Sequence, residues 1–549
     1  MIAGAAERAV AAGDLPPSTV PLPPFEVEPP RDPRHGDFAT NLALVLARTA
    51  ARPPREVAAA LVRHLRLPSD VVAGAELAGP GFLNLTLAPP CVHRWLRRVH
   101  DEDWRFGRTE VGGGRRVLVE YVSANPSGPL TVGSGRNGAV GETVARLLEA
   151  LGYTVWREYY VNDYGNQMEA LARSVEARYL EALGRPAAFP EDGYQGAYVG
   201  EIARTIAEEQ GGALAELEGS ERLARIQEIA LAKMLAEIRA TLEAFGITFD
   251  TWFSERSLHT SGAVARALEE LRRRDLAYEQ DGALWFRATQ FGDDKDRVLV
   301  RSDGRPTYFA ADIPYHLDKY ARGFEHLIDV WGIDHIGDVA RMRGSLHALG
   351  KDPETIEFLV YQHVRLRNEG ELVRMSKRSG EFVSLRELVE AVGRDAARFF
   401  YIMTSPSAPM DFDLALAQRR SADNPVYYVQ YAHARICSIL REAERAAVAL
   451  PRAEETDLTA LATPEEWALA KRVVTFPEVV HAAGSKREPQ RLCAYMRELA
   501  EVFHIFYTRC RVLTDDARLT AARLVLADAA RRVLRNALAL AGVTAPEQM

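Results

Sequence analysis

Apolar positions along this chain change period several times, and each change marks an element. Arg116 to Val122 reads RVLVEYV, a short apolar run that predicts a strand. From Arg136 to Leu151, the residues Val140, Val144, Leu147, Leu148 and Leu151 share one helical face, and Gly152 stops the helix. Thr154 to Val161 is the next strand. The pattern returns later as strand His326–Trp331, helix Val339–Leu349 and strand Ile356–Val364. Two βαβ halves predict a doubly wound, Rossmann-type sheet with a crevice at the strand C-termini. Between the halves, about 168–272, the spacing reads as a helical insertion.

The flanks differ from this centre. Residues 1–88 predict a small α/β unit. Val57, Leu61 and Leu65 give Arg55–Leu65 a helical stripe, and GPGFLNLTL closes the unit with a strand after a glycine turn. Residues 89–114 read as a link ending in Gly112, Gly113 and Gly114. From Asn424 onward only helical spacing appears, in Val426–Ala443, Glu465–Val480, Pro489–Val512 and Leu519–Leu540, which predicts an antiparallel bundle. The fold expected is α/β multidomain: an N-terminal unit at 1–88, a Rossmann-type domain at 112–410 and an all-α unit at 421–549. A chain of 549 residues is indeed too long for one core.

Composition narrows the class only a little. At 47% hydrophobic and 26% charged it is ordinary for a globular protein. No apolar run reaches bilayer length, and the N-terminus lacks a basic segment followed by an apolar stretch, so a cytoplasmic protein is expected. Cys91, Cys437, Cys493 and Cys510 show no metal-ligand spacing; they read as buried thiols in a reducing compartment, and no protein-bound metal is expected. A net charge of −8 argues against nonspecific coating of nucleic acid, yet local basic patches leave an RNA partner open.

Two strings carry candidate chemistry. Ala124 to Ser134 reads ANPSGPLTVGS and runs from the first strand into the first helix. Gly133 and Gly135 sit at that junction, where backbone N–H groups and the helix dipole suit a phosphate and a side chain would hold a nucleotide away. Arg374 to Arg378 reads RMSKR, with Arg374, Lys377 and Arg378 around Ser376. Alone, the first is an ordinary strand-to-helix turn and the second a solvated basic loop.

With their surroundings they become specific. VEYVSANPSGPLTVGSGRNGAVGE, REYYVNDYGNQ, SDGRPTYFAAD and DVWGIDHIGDVARM, in this order before RMSKR, resemble the arginyl-tRNA synthetases of class I. The resemblance implies ligation of L-arginine to tRNA(Arg) with ATP and Mg2+ as the substrate complex, by a monomer. It places Lys377, Ser376, Arg374, Thr131 and Ser134 at the reacting phosphates. Gly133, Gly135, His335, Met375 and Arg378 would bind ATP. Ser123, Asn125, Tyr308 and Asp312 would hold arginine, with Asp163 a further candidate; a carboxylate is the natural partner of a planar guanidinium. GDFATNLAL and GPGFLN match the domain that meets the tRNA D-loop, where Phe82 would stack on a base and Asn84 would hydrogen-bond to it. DNPVYYVQYAHARI and FHIFYTRCRVL match the anticodon-binding domain, with Tyr427, Tyr431 and Arg435 as base contacts.

The family's first motif carries two histidines, and here Thr131 and Ser134 stand in their places, as Ile336 does for a third. A hydroxyl donates one hydrogen bond and carries no charge. Losing one transition-state donor typically costs ~100- to 1,000-fold. Two readings follow: a working ligase with substituted donors, or a paralogue that binds tRNA or arginine with weak or redirected chemistry.

Overall fold

The computed structural model describes residues 1–30, 35–372 and 383–549. At its centre is a parallel five-stranded sheet in the order Ile356–Tyr361, His326–Gly332, Arg116–Glu120, Thr154–Val161, Thr251–Ser254. The first strand in the chain lies in the middle. The chain leaves it to one side and later returns on the other, so a crevice opens between the C-termini of Arg116–Glu120 and His326–Gly332. Val117, Leu118 and Val119 are all buried, as a parallel sheet covered on both faces requires.

One row of this sheet is acidic. Glu158, Glu120 and Asp329 are register neighbours on three adjacent strands. The helix Tyr308–Ala321 answers them. Lys319 donates to Glu120 at 2.6 Å and to Asp329 at 2.8 Å, His316 bonds Asp329 at 2.7 Å, and Tyr315 donates to Glu158 at 2.9 Å. Arg322, just past the helix, forks onto Glu158 at 2.6 and 2.9 Å. These bonds fix the rotation of the helix against the sheet.

The first crossover helix spans Val132–Ala150, four residues earlier than periodicity placed its start. Its glycines explain why apolar spacing missed that turn. A Cβ on Gly141 would lie 2.4 Å from the Tyr121 ring, and one on Gly135 would lie 2.6 Å from Leu385. Close packing here uses absent side chains rather than large ones.

The segment expected to be a helical insertion is helical only in part. Asn166–Ala182, Ala197–Gln210 and Gly219–Ala244 are helices around their own core, but Thr251–Ser254 is the edge strand of the central sheet. Its four residues are too short for a periodic signal. A three-stranded antiparallel sheet, Ala277–Gln280, Ala283–Phe286 and Arg297–Val300, follows. The strand expected over Ile356–Val364 ends at Tyr361; Val364–Asn368 begins another sheet, parallel to Met410–Asp413.

The N-terminal unit is a four-stranded antiparallel sheet packed with the helices Ile2–Ala11, Leu42–Ala50 and Pro54–Arg63. The expected link after it is a helix, Pro89–Glu102, which buries Val92, Leu96 and Val99. The C-terminal helices are Pro425–Arg445, Pro464–Val474, Phe476–Ser485, Gln490–Arg509 and Ala517–Ala541. The single helix expected over Glu465–Val480 breaks at Thr475, because Pro477 forbids the hydrogen bond that would continue it. All four cysteines are buried thiols. Among the described residues no helix is long and apolar enough to cross a membrane.

Candidate active site

The loop leaving Arg116–Glu120 is strained. Val122 and Ser123 have φ of 64° and 39°, uncommon for residues with a side chain. Polar staples hold them there. Asn137 accepts from the Val122 N–H at 2.6 Å and donates to the Val330 carbonyl at 2.9 Å, which ties the two strand ends flanking the crevice. The Ser123 hydroxyl donates to Glu120 at 2.9 Å and accepts from the Tyr160 N–H at 3.0 Å. The helical insertion holds the rest of the loop. Tyr198 donates to the Ser127 carbonyl at 2.7 Å, and Asn125 donates to Gln167 at 2.8 Å. Asn125 is thus at the crevice, but its amide nitrogen is engaged within the protein.

Thr131 caps the following helix by accepting from the Ser134 N–H at 3.4 Å, and the two hydroxyls lie 3.3 Å apart. Gly133 faces open space: a Cβ there would meet nothing nearer than the Thr131 hydroxyl at 3.6 Å. Gly135 differs. Its missing side chain makes room for Leu385 and Tyr401, which is a packing reason for glycine here. Across the crevice, His335 stands just before the helix Ile336–Ala348 and its ring bonds the Asp338 carboxylate at 3.2 Å. That hydrogen bond pushes its imidazole up from the ordinary histidine value. Arg374, Met375, Ser376, Lys377 and Arg378 lie outside the described residues.

Beside the loop is a cluster of acids with surplus negative charge. Asp312 lies one turn into Tyr308–Ala321 and is half-buried, while Tyr308 at the helix start is exposed. Glu255 opens the short helix Glu255–Thr260 and is 3% exposed. Burial, reinforced by Glu120 and Asp338 against the pull of His316 and Lys319, pushes Asp312 up to about 7. Burial, then the charge of Asp312, pushes Glu255 up to about 7 as well. The Tyr160 phenol stands among Asp312, Glu255 and Glu120, and burial with those charges raises it. Lys319 cannot neutralise the cluster, because it is committed to Glu120 and Asp329. Asp163, expected here, is spoken for: one carboxylate oxygen accepts from Ser254 at 2.6 Å and the other from the Arg256 N–H at 2.9 Å. Sequence reading missed Glu255 and Tyr160. Glu255 follows a strand lost inside an apparently helical segment, and Tyr160 looked like one strand aromatic among several.

Two carboxyls close enough to feel each other's charge, both raised to near neutrality, suit a cation with several donors. Such a cation binds the ionised forms. Affinity for a guanidinium cation should therefore rise as pH climbs through about 7, reach a plateau above 8 and fall below that by up to about tenfold per unit for each carboxyl that must ionise. Calorimetric titration of a guanidinium ligand from about pH 5.5 to 8.5, with proton release measured in two buffers, checks this. A flat dissociation constant would remove the carboxylate pair from the binding site.

The distant candidate sites behave differently from one another. Phe82 is 38% exposed, whereas Asn84 is 8% exposed within the N-terminal sheet. Tyr427 and Tyr431 lie on the outward side of Pro425–Arg445 with rings 9° from parallel. Arg435 sits over Tyr431 at 5.2 Å and over Tyr507 at 5.3 Å. Tyr507, itself 38% exposed, completes an aromatic and cationic platform that sequence spacing on one helix could not reveal.

Comparison with known proteins gives three matched family models: "Arginyl tRNA synthetase N terminal domain" over residues 2–87, "tRNA synthetases class I (R), catalytic domain" over 102–400, and "DALR anticodon binding domain" over 429–549. The chain is 52% identical to the arginine–tRNA ligase of Moorella thermoacetica over 99% of its own length and 97% of that protein. It is 49% identical to that of Heliobacterium modesticaldum over 96% of its length and 94% of that protein. Among solved structures it is similar to Thermus thermophilus arginyl-tRNA synthetase, with a TM-score of 0.76, 26% identity and coverage of 100% and 99% of the two chains.

Proposed function

The chain belongs to the arginyl-tRNA synthetases, class I enzymes that ligate arginine to tRNA with ATP, and from that premise we propose how its residues divide the work. In the first step the arginine carboxylate attacks the α-phosphorus of ATP, and pyrophosphate leaves with its electron pair. In the second, a ribose hydroxyl at the tRNA 3′ end attacks the carbonyl of arginyl-adenylate, and AMP leaves. The nucleophile of the first step is already ionised, so alignment and neutralisation of phosphate charge carry the rate.

Asp312 and Glu255 grip the guanidinium, the Tyr160 phenol lies between them, and Tyr308 closes the mouth. Ser123 and Asn125 orient the arginine backbone. The first turn at Thr131, Gly133 and Ser134 offers N–H and hydroxyl donors to the phosphates, and His335, whose proton affinity the Asp338 hydrogen bond raises, is the imidazole donor beside them. Lys377, with Ser376, Arg374, Met375 and Arg378, takes the departing pyrophosphate, and Mg2+ arrives with ATP. Phe82 and Asn84 meet the D-loop, and Tyr427, Tyr431 and Arg435 read unpaired anticodon bases. The N-terminal, catalytic and helical units thereby divide tRNA elbow, chemistry and anticodon in one monomer working in the cytoplasm.

The observation that carries this reading is that Asp312 and Glu255 have, among the described residues, no lysine or arginine paired to them; Glu255 has only His259, at 3.7 Å. Identity of 52% and 49% to two arginine–tRNA ligases over nearly the whole chain favours a working ligase over a paralogue that only binds. ATP–pyrophosphate exchange with and without tRNA tests it. Exchange should require arginine, and citrulline, the uncharged analogue, should not replace it. Absence of exchange with tRNA still bound would establish the paralogue.

A further inference from the structure

Arg136 stands in the second turn of the helix that opens at Thr131, and it is fully buried. A guanidinium withdrawn from water normally meets a carboxylate. Among the described residues this one does not: burial lowers its proton affinity, and its titratable neighbours are the phenols of Tyr361 and Tyr401. It spends its two terminal nitrogens on three backbone carbonyls instead. One goes to Gln362 at 2.7 Å, and one each to Ser405 and Ala408 at 2.9 Å.

Those carbonyls sit just ahead of the two parallel strands of one small sheet. Gln362 precedes Val364–Asn368, and Ser405 to Ala408 precede Met410–Asp413. Gln362 and Pro406 are themselves joined at 2.9 Å, and His363 and Met410 at 3.1 Å. The same helix start has a second tie on the far side. The Leu385 N–H donates to the Leu130 carbonyl at 2.7 Å, and Thr131 bridges Ser384. The next residue, Asn137, bonds both strands of the crevice. The phosphate turn, the central sheet and the small sheet are thus referred to one point.

Resting on the ligase assignment, we propose that Arg136 is a positioning residue for the adenylation step: its three-carbonyl fork sets the register of the small sheet against the turn at Thr131–Ser134. A lysine cannot do this, because one ammonium lacks the planar fork that reaches three acceptors in fixed directions. A misplacement near 1 Å costs about 100-fold in an aligned reaction. The arginine pocket is built from other elements, so the effect belongs to ATP.

The test is exchange by the full chain carrying Arg136→Lys or Arg136→Gln, alongside calorimetric binding of arginine and circular dichroism. Both variants should fold and bind arginine within about threefold of wild type, while the exchange kcat falls about 100-fold or KM for ATP rises in that proportion. Exchange near the wild-type rate in either folded variant overturns the proposal. Equal loss of arginine binding and exchange, or failure of both variants to fold, assigns Arg136 to stability alone and overturns it too. Wild-type protein that shows no exchange with tRNA bound would instead sink the ligase assignment.

Discussion

Asp312→Asn should lower kcat/KM for arginine in pyrophosphate exchange about 100- to 1,000-fold and, in the same molecule, stabilise the arginine-free fold at pH 8. The first effect follows from chemistry at the guanidinium. Asparagine keeps the shape but offers one acceptor and no charge, so the two-point contact with a planar cation is lost. Truncating a charge that faces a desolvated partner typically costs about 2–5 kcal/mol, and each 1.4 kcal/mol is about tenfold. The range above lies within that interval.

The second effect follows from linkage. The folded carboxyl is pushed up to about 7 from an ordinary aspartate value of 3.8. A raised acid penalises the folded state. The penalty is absent below the unfolded value, grows between about pH 4 and 7, and is complete above 7. Asparagine removes it, so the gain in stability should be near zero at pH 4 and about 1–3 kcal/mol at pH 8, less than the full shift implies because Glu255 shares the repulsion. Thermal unfolding at the two pH values, without arginine, measures the difference. A variant less stable than wild type at pH 8 would mean that Asp312 already has a favourable partner in the free enzyme. That would remove the reason for assigning it to the substrate. The site is a place where stability is given up for affinity.

How much of this was readable in advance depends on whether the signal is local. The strands at Arg116 and Thr154 and the second half at His326–Ala348 could be read because each carries its own periodicity. Tyr308 and Asp312 were reachable because a family string surrounds them. Glu255 was not: it follows a four-residue strand too short to show alternation, in a stretch dominated by long helices. Gly135 hid part of its reason for a related cause. A glycine beside a strand-to-helix turn looks like phosphate chemistry, and only the approach of Leu385, 250 residues away in sequence, shows that packing demands it too. Arg136 and Lys319 would be read from sequence as solvated cations. Their burial depends on carbonyls and carboxylates supplied by remote segments, which no window on the chain contains. The legible part was the frame, and the illegible part was mostly polar groups whose partners lie across the fold.

Lys319→Met shows what such a remote partner is worth, and it is expected to be the most destabilising single change, at about 3–5 kcal/mol. The argument begins with the row Glu158, Glu120, Asp329, three acids buried side by side in one sheet. Arg322 and Tyr315 serve Glu158 from one end. His316 serves Asp329 from the other. Among the described residues only Lys319 touches both Glu120 and Asp329, and it is fully buried. Methionine fills the same volume but leaves those two carboxylates facing each other without a cation. Denaturation by urea should show the loss. The triple variant Lys319→Met, Glu120→Gln, Asp329→Asn should recover more than half of it, because exchanging both sides of a buried ionic contact is far cheaper than orphaning one. Recovery of the fold need not restore activity. Glu120 also accepts the Ser123 hydroxyl and belongs to the charges surrounding Tyr160. The refolded triple variant should therefore bind arginine about tenfold less well. If Lys319→Met instead stays within about 1 kcal/mol of wild type, solvent or a neighbouring cation must reach the row, and the helix Tyr308–Ala321 is held by something other than its charge.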